Sequence, residues 1–213
     1  MTIDVKICGL KTPQAVAAAV DGGAAFIGFN FFQNSPRFVT PDAAAVLATA
    51  VPDTVIRVGL FVDATDDDIG AAVASGALDM LQLHGSETPA RVAKVKERFA
   101  LPVMKAIAIS TADDIATAHT YEAIADRLLF DAKAPAGATR PGGNALSFDW
   151  ELIADTDWAL PWMLAGGLNA ENLGEAVIVC GPRAVDVSSG VEDAPGVKNP
   201  DKIRQFLALA QTL

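Results

Sequence analysis

Stretches rich in β-branched and apolar residues alternate with alanine-rich helical stretches eight times along this chain. That rhythm constrains the fold more than any other feature. Short loops between strand and helix leave no room for antiparallel pairing, so neighbouring strands must run parallel, and eight such units close a sheet on itself. The strands are predicted at Ile3–Ile7, Ala25–Phe29, Ile56–Val62, Asp79–Leu83, Val103–Ile107, Arg127–Asp131, Trp162–Ala165 and Ala184–Val187. The intervening helices are predicted near Pro13–Val20, Pro41–Ala50, Asp66–Ser75, Thr88–Phe99, Thr111–Ala125, Asp149–Ala154, Ala170–Cys180 and Pro200–Leu213. Thr12-Pro13, Thr40-Pro41 and Asn199-Pro200 each set a capping side chain before a proline in the first helical turn. An open doubly wound sheet would need a G-x-G-x-x-G turn after an early strand, and Cys8-Gly9-Leu10-Lys11 is not one. The expectation is an α/β protein, a (βα)8 barrel forming a single domain over residues 1–213.

Composition narrows what such a barrel can serve. Of 213 residues 51% are hydrophobic, enough for a large core, and the net charge is −10. An acidic surface disfavours nucleic acid and anionic membranes, while a small anionic molecule can still be held by a few local donors. Two distant cysteines, Cys8 and Cys180, suit a reducing compartment. The first residues show no basic stretch followed by an apolar run, and no apolar run reaches spanning length, so a soluble cytoplasmic protein is expected. With only His84 and His119 and no clustered ligands, no metal site is expected.

Barrels of this kind carry their chemistry at the carboxyl ends of the strands. Cys8 ends the first strand, and Lys6, two residues earlier, shares its face and is expected to help form thiolate. A thiolate can act as nucleophile or as proton-abstracting base. Asp131 ends the sixth strand and precedes a long loop, 134–147, containing Arg140-Pro141-Gly142-Gly143. Facing Cys8 across the barrel mouth, it could serve as an acid opposite a base. The two-residue strand period places Arg57, Gln82, His84, Lys105, Arg127, Asp131, Asp186 and Ser188 with Lys6 and Cys8 on the inner face. Val5, Ile7, Val58, Leu60, Leu83, Phe130, Val185 and Val187 then fall on the helix-covered outer face. Gly166-Gly167 after strand seven and Ser189-Gly190 after strand eight suit a phosphate, since glycine lets backbone N–H groups approach an anion. Arg37, in the loop after strand two, suits a bidentate grip on a carboxylate.

Taken in order, these residues resemble the N-(5′-phosphoribosyl)anthranilate isomerase family. The motifs are Lys6-Ile7-Cys8-Gly9, Gly28-Phe29 with Ser35-Pro36-Arg37, Gln82-Leu83-His84-Gly85, Phe130-Asp131, Gly142-Gly143 with Phe148-Asp149-Trp150, Ala165-Gly166-Gly167-Leu168 and Asp186-Val187-Ser188-Ser189-Gly190-Val191-Glu192. The resemblance implies an Amadori rearrangement in tryptophan biosynthesis, with Asp131 as general acid and Cys8 as general base. It implies that Lys6, Arg37, Gln82, His84 and Asp186 bind substrate, with Arg37 on the anthranilate carboxylate, and that Gly166, Gly167, Ser189 and Gly190 hold the phosphate. No cofactor is implied, because the chemistry only moves protons. The implied partner is the small-molecule substrate, on a monomer or homodimer. Two departures stand out: Asn144 and Ala145 interrupt the family's third loop glycine, and Gln33-Asn34 replaces a Pro-Lys-like pair. A histidine-pathway sister barrel running the same rearrangement resembles an Asp where Cys8 stands. A silent binder of phosphorylated metabolites would need neither Cys8 nor Asp131.

Overall fold

The computed structural model describes residues 2–133, 142, 147–154 and 156–213. Most of the 134–147 loop, including Arg140, Gly143, Asn144 and Ala145, lies outside the described residues.

Eight parallel strands close in sequence order: β1 Asp4–Cys8, β2 Phe26–Asn30, β3 Ile56–Phe61, β4 Met80–Leu83, β5 Val103–Ile109, β6 Arg127–Ala132, β7 Trp162–Leu164 and β8 Ala184–Val187. The helices are α1 Pro13–Asp21, α2 Pro41–Ala48, α3 Asp66–Ala74, α4 Pro89–Phe99, α5 Ala112–His119, α6 Glu151–Ala154, α7 Leu173–Cys180 and α8 Pro200–Ala210. The expected TIM barrel is therefore what forms. Thr12, Thr40 and Thr88 each accept a backbone N–H three residues on, with proline in the first turn. Asn199 accepts two, from Asp201 and Lys202. These caps satisfy donors that a helix start otherwise leaves orphaned, which is why the starts were legible. Helix α5 stops at His119, short of the expected Ala125, and Thr120 Oγ donates to the Thr117 carbonyl at 2.7 Å there. No described helix is long and apolar enough to cross a membrane.

Two apolar layers result. Phe26, Val58, Met80, Met104, Leu129 and Met163 fill the barrel interior, while Ile7, Ile27, Leu81, Leu128, Phe130 and Val185 pack outward against the helices. This corrects two strands. Val58 and Leu60 face inward, and Arg57 lies on the outer side, where it forks onto Asp79 at 2.8 and 2.6 Å. Lys105 also faces outward, between inward-facing Met104 and Ala106. Its ammonium is buried with Glu87 at 2.8 Å and donates to the carbonyls of Leu83 and Gly85. Period two groups residues by face but does not say which face is inside. A charged side chain can lie on the helix-covered side when a carboxylate meets it there.

The chain then adds what periodicity did not reveal. After β8 comes a 3-10 turn, Ser189–Val191, and a small antiparallel hairpin, β9 Glu192–Ala194 with β10 Val197–Lys198. It brings Glu192 and Lys198 against the barrel mouth.

Candidate active site

Sheet closure sets the floor of the site. In the β1–β8 register Lys6 stands beside Asp186, so their inward side chains meet, with Nζ 2.8 Å from Oδ1. Lys6 is wholly buried; burial pulls its pKa down, but Asp186 and, after it, the Cys8 sulfur together more than reverse this and hold it above the ordinary lysine value. Two residues along, Cys8 reaches the mouth.

A pocket of about 620 Å³, open to solvent, occupies the carboxyl ends of the strands. Cys8 and Asp131 both line it, together with Arg37, His84, Asp186, Gly166, Gly167 and Ser189. Leu60 and Val62 supply an apolar wall. Three predicted residues lie just behind this lining. Lys6 supports Asp186 from below. Gln82, fully buried, sends Nε2 to His84 Nδ1 at 3.2 Å. Gly190 sits behind Ser189, where a Cβ would collide with the Leu168 carbonyl and the Asn169 side chain. Its missing side chain is what lets the turns after β7 and β8 lie side by side.

His84 links the strands. Its Nδ1 meets Gln82 Nε2 at 3.2 Å, and its Nε2 faces Asp131 Oδ2 at 3.2 Å. Asp131 Oδ1 accepts the Ala132 N–H at 2.8 Å. The carboxyl is thus held at both oxygens. Gly166 follows with φ +88°, and a Cβ there would come 2.7 Å from the Ala132 nitrogen. Left-handed backbone and close approach both call for glycine at this position.

The expected effect of Lys6 on the thiol needs correcting. Burial pushes the Cys8 thiol above its ordinary value, and this outweighs the lowering by Lys6. Asp186, bound to Lys6, acts on the thiol in the opposite sense. The resting sulfur at neutral pH is therefore a thiol.

Arg37 also differs from its expected free fork. Its Nε and Nη2 donate to Glu192 Oε1 and Oε2, both at 2.8 Å, and both side chains are buried. That edge is committed to Glu192, so a ligand carboxylate would meet the guanidinium at the edge carrying Nη1. Glu192 and Lys198 were not singled out as functional from sequence. The available signal was a Glu and a Lys flanking a glycine-bearing turn, Gly196, in what proves to be a hairpin.

A family model described as N-(5′-phosphoribosyl)anthranilate (PRA) isomerase matches residues 5–208. The chain is 52% identical over 211 residues to the N-(5′-phosphoribosyl)anthranilate isomerase of Paramagnetospirillum magneticum, covering 99% of this chain and 98% of that one. The crystal structure of phosphoribosyl anthranilate isomerase from Thermotoga maritima superposes with a TM-score of 0.88 at 36% identity, over 99% of this chain and 100% of that one. A phosphoribosyl anthranilate isomerase in complex with reduced 1-(o-carboxyphenylamino)-1-deoxyribulose 5-phosphate gives a TM-score of 0.84 at 34% identity, with the same coverage. With the family model matching nearly end to end, this barrel belongs to the N-(5′-phosphoribosyl)anthranilate isomerase family.

Proposed function

We propose that this enzyme carries out the isomerase step of tryptophan biosynthesis. It would convert N-(5′-phosphoribosyl)anthranilate to 1-(2-carboxyphenylamino)-1-deoxy-D-ribulose 5-phosphate, with Asp131 as general acid and Cys8 as general base. The observation that carries the reading is convergence: a thiol, a carboxyl and two glycine turns, drawn from β1, β6, β7 and β8, line one pocket.

In this reading protonated Asp131 gives its proton to the ribose ring oxygen. The C1–O bond breaks and the nitrogen lone pair forms the C=N bond of a Schiff base. Cys8, in its thiolate form, then takes the proton from C2 and becomes the thiol, and the C–H electrons make the enolamine. Tautomerisation gives the ketone product, so atoms and electrons balance with no oxidant or cofactor. His84 and the Ala132 N–H orient the Asp131 carboxyl. The turns at Gly166-Gly167 and Ser189-Gly190 hold the phosphate, Asp186 meets the sugar hydroxyls, and Arg37 meets the anthranilate carboxylate. Lys6 and Gln82, expected from the resemblance to bind substrate, also support Asp186 and His84. The apolar wall suits the aromatic ring.

Loss of anthranilate fluorescence on adding freshly generated phosphoribosylanthranilate tests this directly. Wild type should consume it, and Cys8→Ala should not. Equal rates in both would remove Cys8 from the mechanism. No turnover in wild type would overturn the assignment and favour the histidine-pathway aminoaldose, to be tried next.

A further inference from the structure

The mechanism asks Cys8 to become negative in a place where burial opposes it. Something must offset that charge. Lys6 is the nearest cation and favours the thiolate, but Asp186, bound to it at 2.8 Å, offsets part of that, and burial still outweighs the rest. The β9–β10 hairpin supplies another cluster. Lys198 Nζ lies 2.9 Å from Glu192 Oε1, the same carboxylate that Arg37 grips, and both side chains are buried. Two cations share one anion, leaving a buried surplus of one positive charge.

That surplus is wired to the thiol's strand end. Lys198 Nζ donates to the Ser188 carbonyl at 2.8 Å and to Ser188 Oγ at 3.2 Å. Ser188 Oγ in turn donates to the Cys8 carbonyl at 3.2 Å. The titratable groups around Lys198 and Cys8 are Lys6 from β1, Asp186 from β8, Arg37 from the β2–α2 loop, Glu192 from β9 and Lys202 from α8, with His84 and Asp131 in the same pocket as the thiol. Lys202 binds the Glu192 carbonyl at 2.8 Å and is neutralised by Asp193 at 2.9 Å. Lys198 and Arg37 share the single carboxylate of Glu192.

We propose that Lys198 is a positioning residue that supplies the counter-charge for the Cys8 thiolate, through the buried Arg37–Glu192–Lys198 cluster. The proposal deepens the reading of Cys8 as base and rests on it for its effect on turnover. Burial lowers the Lys198 ammonium to about 8, against the raising effects of Glu192 first and then of negative charge on Cys8. Ammonium and thiolate therefore favour each other's charged forms, as coupled sites do.

The test titrates the sulfur without substrate. In a Cys180→Ala background, the alkylation rate of Cys8 by iodoacetamide is followed from about pH 6 to about pH 10, where thiolate alone reacts. Lys198→Met should lower the alkylation rate about tenfold at a fixed pH of about 7.5, equivalent to moving the thiol up by about one pH unit. It should also lower kcat near neutral pH about tenfold, with KM within about twofold. Lys198→Arg, which keeps the charge, should restore both. A folded Lys198→Met with the wild-type titration curve would overturn the proposal. Lys198→Gln serves if the methionine variant does not fold; if neither neutral variant folds, the charge is structural and the proposal fails. Should the titration shift while wild type shows no turnover, the counter-charge stands and the reaction assignment falls. Turnover with an unmoved titration gives the reverse.

Discussion

Replacing Asp186 with leucine strands a lysine. Lys6 is wholly buried, and its single carboxylate partner sits 2.8 Å away. Breaking a buried pair from one side typically costs about 3–5 kcal/mol. The structure sets a ceiling on that cost, because Lys6 can escape by losing its proton. At pH 7 that escape costs about 4.6 kcal/mol, taking roughly 1.4 kcal/mol for each unit below an ordinary lysine value near 10.4. At pH 9 it costs only about 1.9 kcal/mol by the same conversion. The sign follows from linkage. In wild type the Lys6 pKa is raised, so its contribution is complete below the unfolded value and unchanged between these two pH values. In Asp186→Leu the folded value drops below the unfolded one, the unfolded chain binds more protons, and stability rises with pH. Urea unfolding at both pH values should therefore show a deficit of about 4 kcal/mol at pH 7 that shrinks to about 2 kcal/mol at pH 9. Adding Lys6→Met should recover most of it, since a buried pair replaced on both sides is often neutral. A deficit below about 1 kcal/mol at pH 7, or one that ignores pH, would refute the claim that Asp186 is what keeps Lys6 charged.

Gly190→Ala would drive a Cβ into the Leu168 carbonyl and spread the two glycine turns. It should weaken competitive inhibition by inorganic phosphate at least about tenfold while the barrel keeps its circular dichroism; unchanged inhibition would remove these turns from phosphate binding. Thr88→Ala removes the cap on α4, whose hydroxyl accepts the Arg91 N–H, and should cost about 1 kcal/mol in urea unfolding with kcat/KM unchanged. Because burial raises the Cys8 thiol, the base form grows with pH, so kcat/KM should climb from neutral into alkaline solution. A profile flat above pH 6 would contradict a buried thiol as base.

What could be read from the chain and what could not divide along physical lines. Local signals survived: proline after a capping side chain, β-branched runs, and glycine pairs at strand ends all act within a few residues. Cys8 and Asp131 were legible because both end strands, and the barrel sends all strand ends to one rim. The faces of β3 and β5 were not. Polarity suggested that Arg57 and Lys105 point inward, but Asp79 and Glu87 meet them on the other side, and those partners lie about twenty residues away in sequence. The state of Cys8 was misjudged for a related reason. Lys6 on the same face is visible and does favour the thiolate, whereas the burial that outweighs it, and Asp186, which opposes it from 180 residues along, arise only through closure of β1 onto β8. The hairpin carrying Glu192 and Lys198 was missed because strands of three and two residues have too few positions to show a period.

The central claim is that Cys8 and Asp131 act as base and acid on one substrate in one pocket. The most direct test measures the rate of phosphoribosylanthranilate consumption by anthranilate fluorescence in wild type, Cys8→Ala and Asp131→Asn, with folding of each checked by urea unfolding. The account predicts rapid consumption by wild type and losses of about 10²–10⁴-fold in kcat for each folded variant. A folded variant of either residue that keeps a rate within tenfold of wild type would contradict it.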